Sequence, residues 1–160
     1  MEHTGEITEY RLTIDGEPYG QSRPRFNRKT GTAYNTAKSR EYRELVQLKA
    51  LEKIKEPLKG AVEVEIWASF VPPKSWSKIK TARAYMQRIA PLKKPDADNI
   101  AKAILDGLNG IAFADDAQVA RLAVNKMYGE EPHVLVEIRG EKCGYEPEKQ
   151  NCGVAAKDRA

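Results

Sequence analysis

Five aspartates and a single lysine lie within residues 95–116, which makes this acidic segment the part of the chain best suited to chemistry. Carboxylates that meet in a fold repel one another, so a shared site requires raised pKa values or a bound cation. Carboxylate oxygens are hard ligands, and no His or Cys lies nearby. The segment therefore predicts a Mg²⁺ or Mn²⁺ site rather than a zinc site. The six residues are Asp96, Asp98, Lys102, Asp106, Asp115 and Asp116.

A helix is predicted in the middle of this segment. Pro95 prevents a helix from continuing through from upstream, and Asp96 or Asp98 can cap a helix that begins near Asn99. Apolar residues at three- and four-residue spacing give it a buried stripe, formed by Ile100, Ala103, Ile104 and Leu108. The Asn109-Gly110 pair ends the helix, because Gly supplies the left-handed conformation of a C-cap.

The predicted helix places three carboxylates around one region. Asp96 and Asp98 lie at its start, and Asp116 returns from the loop that follows it. Lys102 lies one turn beyond Asp98 on the same face of the helix. The simpler alternative is that Asp98 is only a helix cap and that Asp115 and Asp116 only form a turn.

The net charge of +4 is unevenly distributed. Two long stretches of the chain, 18–40 and 71–94, carry basic residues and no acids. Two cationic blocks together with an acidic centre suit a polyanion whose phosphate must reach a metal ion. The alternative is an ordinary solvated surface. The basic residues are Arg23, Arg25, Arg28, Lys29, Lys38 and Arg40 in the first block, and Lys74, Lys78, Lys80, Arg83, Arg88, Lys93 and Lys94 in the second.

The remaining periodicity predicts an α+β fold. Alternating apolar residues indicate strands at 7–14, 61–70, 118–127 and 133–138, and helical spacing indicates helices at 36–55 and 75–89. This order predicts one mixed sheet of about four strands with its helices mainly on one face. Residues 15–35 are predicted to be a long loop. Its arginines beside an aromatic residue suit an arm that contacts nucleic acid, and the alternative is a flexible loop without a function of its own.

Two of these elements carry predicted buried stripes. The stripe of the first helix comprises Tyr42, Leu45, Val46, Leu48, Leu51 and Ile54, and that of the third strand comprises Ala120, Leu122 and Val124.

The chain length predicts a single domain over 1–140, followed by a polar and loosely ordered tail over 141–160. No apolar run approaches the ~20 residues that span a membrane, and the first residues lack the pattern of a signal peptide. Cys143 and Cys152 lie in the tail and form no metal-binding pattern, so we expect reduced thiols in a cytoplasmic protein.

The segments 94–100 (Lys-Pro-Asp-Ala-Asp-Asn-Ile) and 114–119 (Ala-Asp-Asp-Ala-Gln-Val) resemble the RusA family of Holliday junction resolvases. Residues 20–25 resemble the start of phage-type members, and the similarity covers most of 7–139. Ile100 departs from the more usual Leu. The basic stretch 74–94 and the Cys-containing tail are not part of the shared pattern.

The resemblance implies a Mg²⁺-dependent homodimer, often of phage or prophage origin, that cuts four-way DNA junctions by paired nicks. It implies that Asp96, Asp98 and Asp116 bind the metal, that Lys102 is the lysine of the catalytic site and that Asp115 is a neighbouring acid of less certain role. A later lysine of the family pattern falls on Lys126. The residues expected to contact DNA are Arg23, Arg25, Lys93, Lys94 and Lys126.

The sequence thus predicts metal-assisted hydrolysis of a DNA phosphodiester. Two other functions are compatible with parts of the pattern. One is a branched-DNA-binding protein without catalysis, in which the aspartates only cap and repel. The other is a Mg²⁺-dependent hydrolase of small phosphate esters, which leaves the two basic blocks unexplained.

Overall fold

The computed structural model of the protein describes residues 6–142. Cys143, Cys152 and nearly all of the predicted tail therefore lie outside the described residues. In chain order the strands are β1 (Ile7–Asp15), β2 (Arg25–Phe26), β3 (Ala33–Tyr34), β4 (Lys59–Phe70), β5 (Val119–Tyr128) and β6 (His133–Glu141). The helices are α1 (Ala37–Lys53), α2 (Lys78–Tyr85) and α3 (Ala97–Leu108), and a short 3-10 turn covers Asp116–Gln118.

Four of the strands form a mixed sheet in the order β1-β6-β4-β5. β6 pairs antiparallel with both β1 and β4, whereas β5 runs parallel to β4. A parallel pair needs a long crossover connection, and here that connection contains α2, α3 and the acidic segment. The predicted α+β fold with a mixed four-stranded sheet is confirmed.

The core lies between the sheet and the helices α1 and α3. Every second residue of β4 from Val62 to Phe70 is buried, as the alternation of the strand predicts. The stripe of α3 is buried as well, and its four predicted members are joined by Ala101 and Gly107. The helix therefore presents one apolar face to the sheet and leaves its other face to solvent.

Two predicted stripes were too broad. Leu48 and Leu51 are 61% and 58% exposed. They lie on the side of α1 that faces away from the core, whereas the buried residues Val46 and Ala50 lie on the side that faces it. With 3.6 residues per turn, Leu48 points roughly 200° away from Val46. In β5, Ala120 is exposed and Leu122 is 44% exposed. β5 is an edge strand, so the helices cover it less than they cover β4.

The opposite face of the sheet is polar and held by cross-strand charge pairs. Glu137 is only 7% exposed, and its carboxylate forms ion pairs with Arg11 and Arg139. Arg139 also pairs with Glu9 at 3.3 Å. Opposite charges on neighbouring strands stabilise this face without a covering helix.

Helix α3 approaches α1 closely at Gly107. A Cβ atom built on Gly107 would lie 2.5 Å from Cγ1 of Val46, which is closer than carbon atoms can pack. The absence of a side chain at this position therefore sets the distance between the two helices. Because Asp96, Asp98 and Lys102 are carried by α3 or its N-cap, this packing also fixes their position relative to α1.

Two predicted segments differ in the structure. The predicted loop 15–35 contains the small antiparallel hairpin of β2 and β3. The second helix ends at Tyr85 rather than near residue 89, since Gln87 adopts a left-handed conformation with φ of 58°. Within residues 6–142, no helix combines the length and apolar character needed to cross a bilayer.

Candidate active site

The two first aspartates lie at the start of α3. Asp96 is its N-cap residue, but its side chain makes no capping hydrogen bond, and Asp98 lies in the first turn. Both residues are exposed. The partial positive charge of a helix N-terminus favours carboxylates at this position. Of the two predicted caps, Asp96 occupies the N-cap position and Asp98 does not, so the interpretation of Asp98 as a cap is wrong. The carboxylate of Asp96 accepts no hydrogen bond from the backbone of the first turn either.

Lys102 is exposed on the solvent side of α3, between Asp98 and the half-buried Asp106. The three residues follow one another at four-residue spacing, so they share one face. In the described structure Lys102 forms no ion pair with an acid within 4.0 Å. Its ammonium group can therefore be directed at a substrate.

The turn after α3 assigns different roles to its two aspartates. Asp115 caps the 3-10 turn, because its Oδ1 accepts a hydrogen bond of 2.9 Å from the backbone N–H of Ala117. Asp116 is exposed and follows this cap as the first residue of the turn. The cap thus uses the carboxylate of Asp115 and presents that of Asp116 to solvent.

Gln118 fixes this turn to the sheet. Its Oε1 accepts hydrogen bonds from the backbone N–H groups of Ala114 and Asp115, at 2.8 and 3.3 Å. Its Nε2 donates to the carbonyl oxygens of Leu58 and Gly60, at 3.2 and 2.9 Å. One side chain therefore joins the acidic turn to the start of β4.

The carboxylates of the turn influence one another. The hydrogen bond from the Ala117 amide lowers the pKa of Asp115. The shared hydrogen bond with Asp115 raises the pKa of Asp116, and the charges of Asp115 and Asp106 act in the same direction. Asp116 thus lies in a field of like charge, which a cation would relieve.

Within residues 6–142, no three acidic, histidine or cysteine side chains are arranged as a group that could hold a metal ion. Asp96, Asp98 and Asp116 therefore do not form a closed three-ligand cage. The chemistry of these donors nevertheless fits Mg²⁺, which prefers oxygen ligands and usually binds through one or two carboxylates, water and substrate phosphates.

The basic residues lie around this acidic region in different ways. Lys93 and Lys94 are exposed just before Pro95. Lys126 donates a hydrogen bond of 2.5 Å from Nζ to the backbone carbonyl of Lys93, so it also supports the segment that leads to Asp96. The aromatic ring of Phe70 contacts two of these lysines: its centroid lies 5.1 Å from Nζ of Lys93 and 5.4 Å from Nζ of Lys126.

Arg23 and Arg25 lie in the hairpin arm, which we define as residues 22–35. The root of this arm contacts α3 directly, since the backbone N–H of Gln21 donates to the carbonyl oxygen of Asn99 at 2.9 Å. A Cβ atom on Gly20 would lie 2.5 Å from Cβ of Pro95, so only glycine permits this contact. The first basic block is therefore attached beside Asp96 and Asp98.

Sequence reasoning missed the roles of Gln118, Gly20 and Asp106. The spacing of Asp115 and Gln118 is that of a capping box, which signals the start of a turn. That signal was available in the sequence. The contact of Gly20 with Pro95 and the charge effect of Asp106 on Asp116 depend on tertiary structure, and no local pattern predicts them.

Exposed carboxylates that can bind a divalent ion, beside cations that can bind phosphates, suit an enzyme that hydrolyses nucleic-acid phosphodiesters. Residues 15–139 match the sequence profile of the family described as Endodeoxyribonuclease RusA. The chain belongs to this family. It is accordingly an endodeoxyribonuclease, a hydrolase of phosphodiester bonds, and the resolvase family implies a branched DNA substrate.

The chain is also similar to a protein from Bacillus subtilis (strain 168) described as uncharacterized protein YqaN. The two sequences are 37% identical over 134 residues, which cover 81% of this chain and 94% of YqaN. The similarity therefore extends through nearly the whole of that relative.

Proposed function

We propose that the protein is a Mg²⁺-dependent, structure-specific endonuclease that resolves Holliday junctions by paired nicks, with Mn²⁺ as a substitute ion. The observation that carries this proposal is the division of roles among the acids. Asp115 caps the turn, whereas Asp96, Asp98 and Asp116 are exposed carboxylates without a capping bond. Solvent-exposed carboxylates of this kind suit chemistry at a DNA phosphate.

The ion would be held by Asp96, Asp98 and Asp116 together with the DNA phosphate. When bound, a divalent ion polarises the phosphodiester and lowers the pKa of a coordinated water. Lys102 orients the attacking water or neutralises the charge that develops on the phosphate oxygens. Gln118 and Asp115 hold the turn in place, so that Asp116 returns to a fixed position after α3.

The cations position the DNA. Four exposed cations would neutralise phosphates next to the cut: Arg23, Arg25, Lys93 and Lys94. Lys126 contributes by holding the carbonyl of Lys93, in addition to its own charge. A four-way junction has two-fold symmetry, so we propose an isologous homodimer with one acidic site per subunit. The catalytic unit comprises residues 1–140.

A synthetic immobile four-way junction tests this proposal. We expect paired nicks at symmetric positions with Mg²⁺, none after EDTA is added, and much weaker cleavage of duplex and Y-fork DNA. Junction binding without cleavage under every metal condition would indicate a DNA-binding protein instead. Cleavage of a small phosphate ester that is insensitive to salt would indicate a hydrolase of small substrates, since phosphate contacts to DNA weaken steeply with salt.

A further inference from the structure

The hairpin arm, residues 22–35, is exposed along its whole length. Its two short strands pair only with each other, and they carry two of the most exposed aromatic side chains among the described residues: Phe26 at 72% and Tyr34 at 50%. A two-stranded hairpin is marginally stable alone in water. Large aromatic side chains on such an arm gain nothing from the core, so they are available to a ligand.

The register of the hairpin separates its chemistry onto two faces. Phe26 lies opposite Ala33, and Arg25 lies opposite Tyr34. Because opposed residues share a face and successive residues alternate, Phe26 projects beside a methyl group, while Arg25 and Tyr34 project on the other side. Arg23, Arg28 and Lys29 add further charge, and no acid occurs between 18 and 40. The arm therefore carries the exposed ring of Phe26 opposite a small residue, with several basic residues close to it in the sequence.

The turn of the hairpin has a defined shape. The N–H of Asn27 donates to the carbonyl of Thr32 at 3.0 Å, and the N–H of Gly31 donates to the carbonyl of Asn27 at 2.8 Å. The side chain of Asn27 also accepts from the N–H of Lys29 at 2.9 Å. These bonds hold Phe26 one residue from the turn, so the ring is carried near the tip.

The two ends of the arm are anchored on different helices, α3 and α1. Gln21 binds the carbonyl of Asn99 in the first turn of α3, and Thr36 is the N-cap of α1. The hydroxyls of Tyr19 and Ser39, which lie 2.8 Å apart, connect the two anchors. The arm thus starts beside the acidic site and ends at the first turn of α1.

We propose that the hairpin arm recognises the branch point of the DNA, with Phe26 stacking on a base exposed there and Arg25, Arg28 and Lys29 contacting the flanking phosphates. This inference rests on the proposed action on branched DNA and adds the structure that selects the branch. Stacking of a base on an aromatic side chain contributes about 1–3 kcal/mol. On continuous duplex the same contact first requires base unstacking, which costs a few kcal/mol. The ring therefore favours DNA that already has unstacked ends.

The test uses the full chain in EDTA, so that binding is measured without cleavage. Fluorescence anisotropy gives the Kd for a four-way junction and for a duplex of the same length, with wild type, Phe26→Ala, Phe26→Trp and Arg25→Gln. We expect Phe26→Ala to weaken junction binding by roughly 5- to 100-fold, and duplex binding by less than about 2-fold. Phe26→Trp restores junction binding. Arg25→Gln weakens both substrates similarly and reduces the salt dependence.

The outcomes separate this inference from the proposed function. If wild type binds junction and duplex equally, the branch-specific function and the role of the arm both fail. If wild type prefers and cleaves the junction, but Phe26→Ala keeps that preference or weakens both substrates equally, only the stacking role is overturned. Phe26 is exposed, so its variants should retain the wild-type melting temperature, which excludes misfolding as the cause of a loss.

Discussion

The side-chain amide of Gln118 donates a hydrogen bond of 2.9 Å to the carbonyl oxygen of Gly60, fifty-eight residues earlier in the chain. This bond joins the turn after α3 to the first residues of β4. Because the carbonyl group of the same side chain binds the amides of Ala114 and Asp115, the position of Asp116 follows from the position of the sheet. The hydrogen bonds of Gln118 thus determine where the proposed metal ligand Asp116 lies.

The two aspartates of this turn should respond differently to substitution. Asp115→Asn keeps an oxygen that can accept from the Ala117 amide, so we expect nicking within about 3-fold of wild type and unchanged stability. Asp116→Asn retains the shape but removes the charge, and we expect junction nicking to fall by at least roughly 100-fold. A junction-nicking assay measures the activity of the two variants, and unfolding in urea measures their stability.

Asp115→Ala is the control for the cap, because it removes the acceptor and should cost about 1 kcal/mol of unfolding free energy. If Asp115→Asn lost as much nicking as Asp116→Asn, the charge of Asp115 would also be needed for chemistry. The assignment of Asp115 to a purely structural role would then be wrong.

Gly107 should tolerate no side chain while Val46 is present. The built Cβ lies 2.5 and 2.6 Å from two atoms of Val46, so Gly107→Ala forces α1 and α3 apart. We expect a loss of about 1–3 kcal/mol in the free energy of unfolding, measured in urea, together with reduced nicking. Gly110→Ala is unsuitable as a control because Gly110 has a φ of 81°.

The matched experiment is a double-mutant cycle with Val46→Gly. This substitution removes both Val46 atoms that the new Cβ would meet, Cγ1 and Cβ, so the double variant should be more stable than the sum of the two single losses predicts. Additive losses would indicate that the cost of Gly107→Ala does not arise from this contact.

The fold could be predicted from the sequence where one local period determines burial. The alternation in β4 and the spacing in α3 both place their apolar residues against a single wide surface, so period and burial agree. Prediction was wrong for Leu48 and Leu122, whose burial depends on which neighbours cover α1 and β5. Hydrophobicity alone carries no information about that coverage.

In the candidate site, too, features set by local spacing could be predicted and features set by tertiary contacts could not. Asp96, Asp98 and Lys102 could be placed on one helix because their spacing is local. The effect of the Asp106 charge on Asp116 and the hydrogen bond from Gln21 to Asn99 could not be predicted, because each joins residues of different segments. Whether the three proposed ligands close around an ion remains a prediction, which metal-dependent cleavage tests.

Tyr42 should make stability fall at alkaline pH. Burial raises the pKa of its hydroxyl to about 12, only slightly opposed by the nearby backbone amide of Tyr19, and this hydroxyl makes no hydrogen bond in the described structure. Between pH 10 and 12 the unfolded chain ionises Tyr42 while the folded chain keeps it protonated. Stability is therefore fully present below pH 10 and falls, by about 3 kcal/mol in all, as pH rises from 10 through 12.

The comparison with Tyr42→Phe isolates this contribution from the other titrating groups. At pH 7 the variant should be as stable as wild type or up to about 1 kcal/mol more stable, because it removes a buried hydroxyl that has no partner. Above pH 10 its unfolding free energy should decline less steeply. Parallel pH profiles for the two proteins would show that Tyr42 is not the group responsible.

Asp96→Asn should separate cleavage from binding. Asp96 caps no backbone amide through its side chain and is exposed, so its replacement removes charge without removing a structural bond. We expect junction nicking to be lost, while gel-shift affinity is unchanged or tighter because one repulsive charge near the phosphates is gone.

The control is Asp15→Asn, an exposed acid at the end of β1 whose only ion pair in the described structure is with Lys49 at 3.8 Å. That control should leave nicking intact, since surface ion pairs contribute little. Equal loss of nicking and binding in Asp96→Asn would mean that the residue supports DNA contact rather than the chemistry assigned to it.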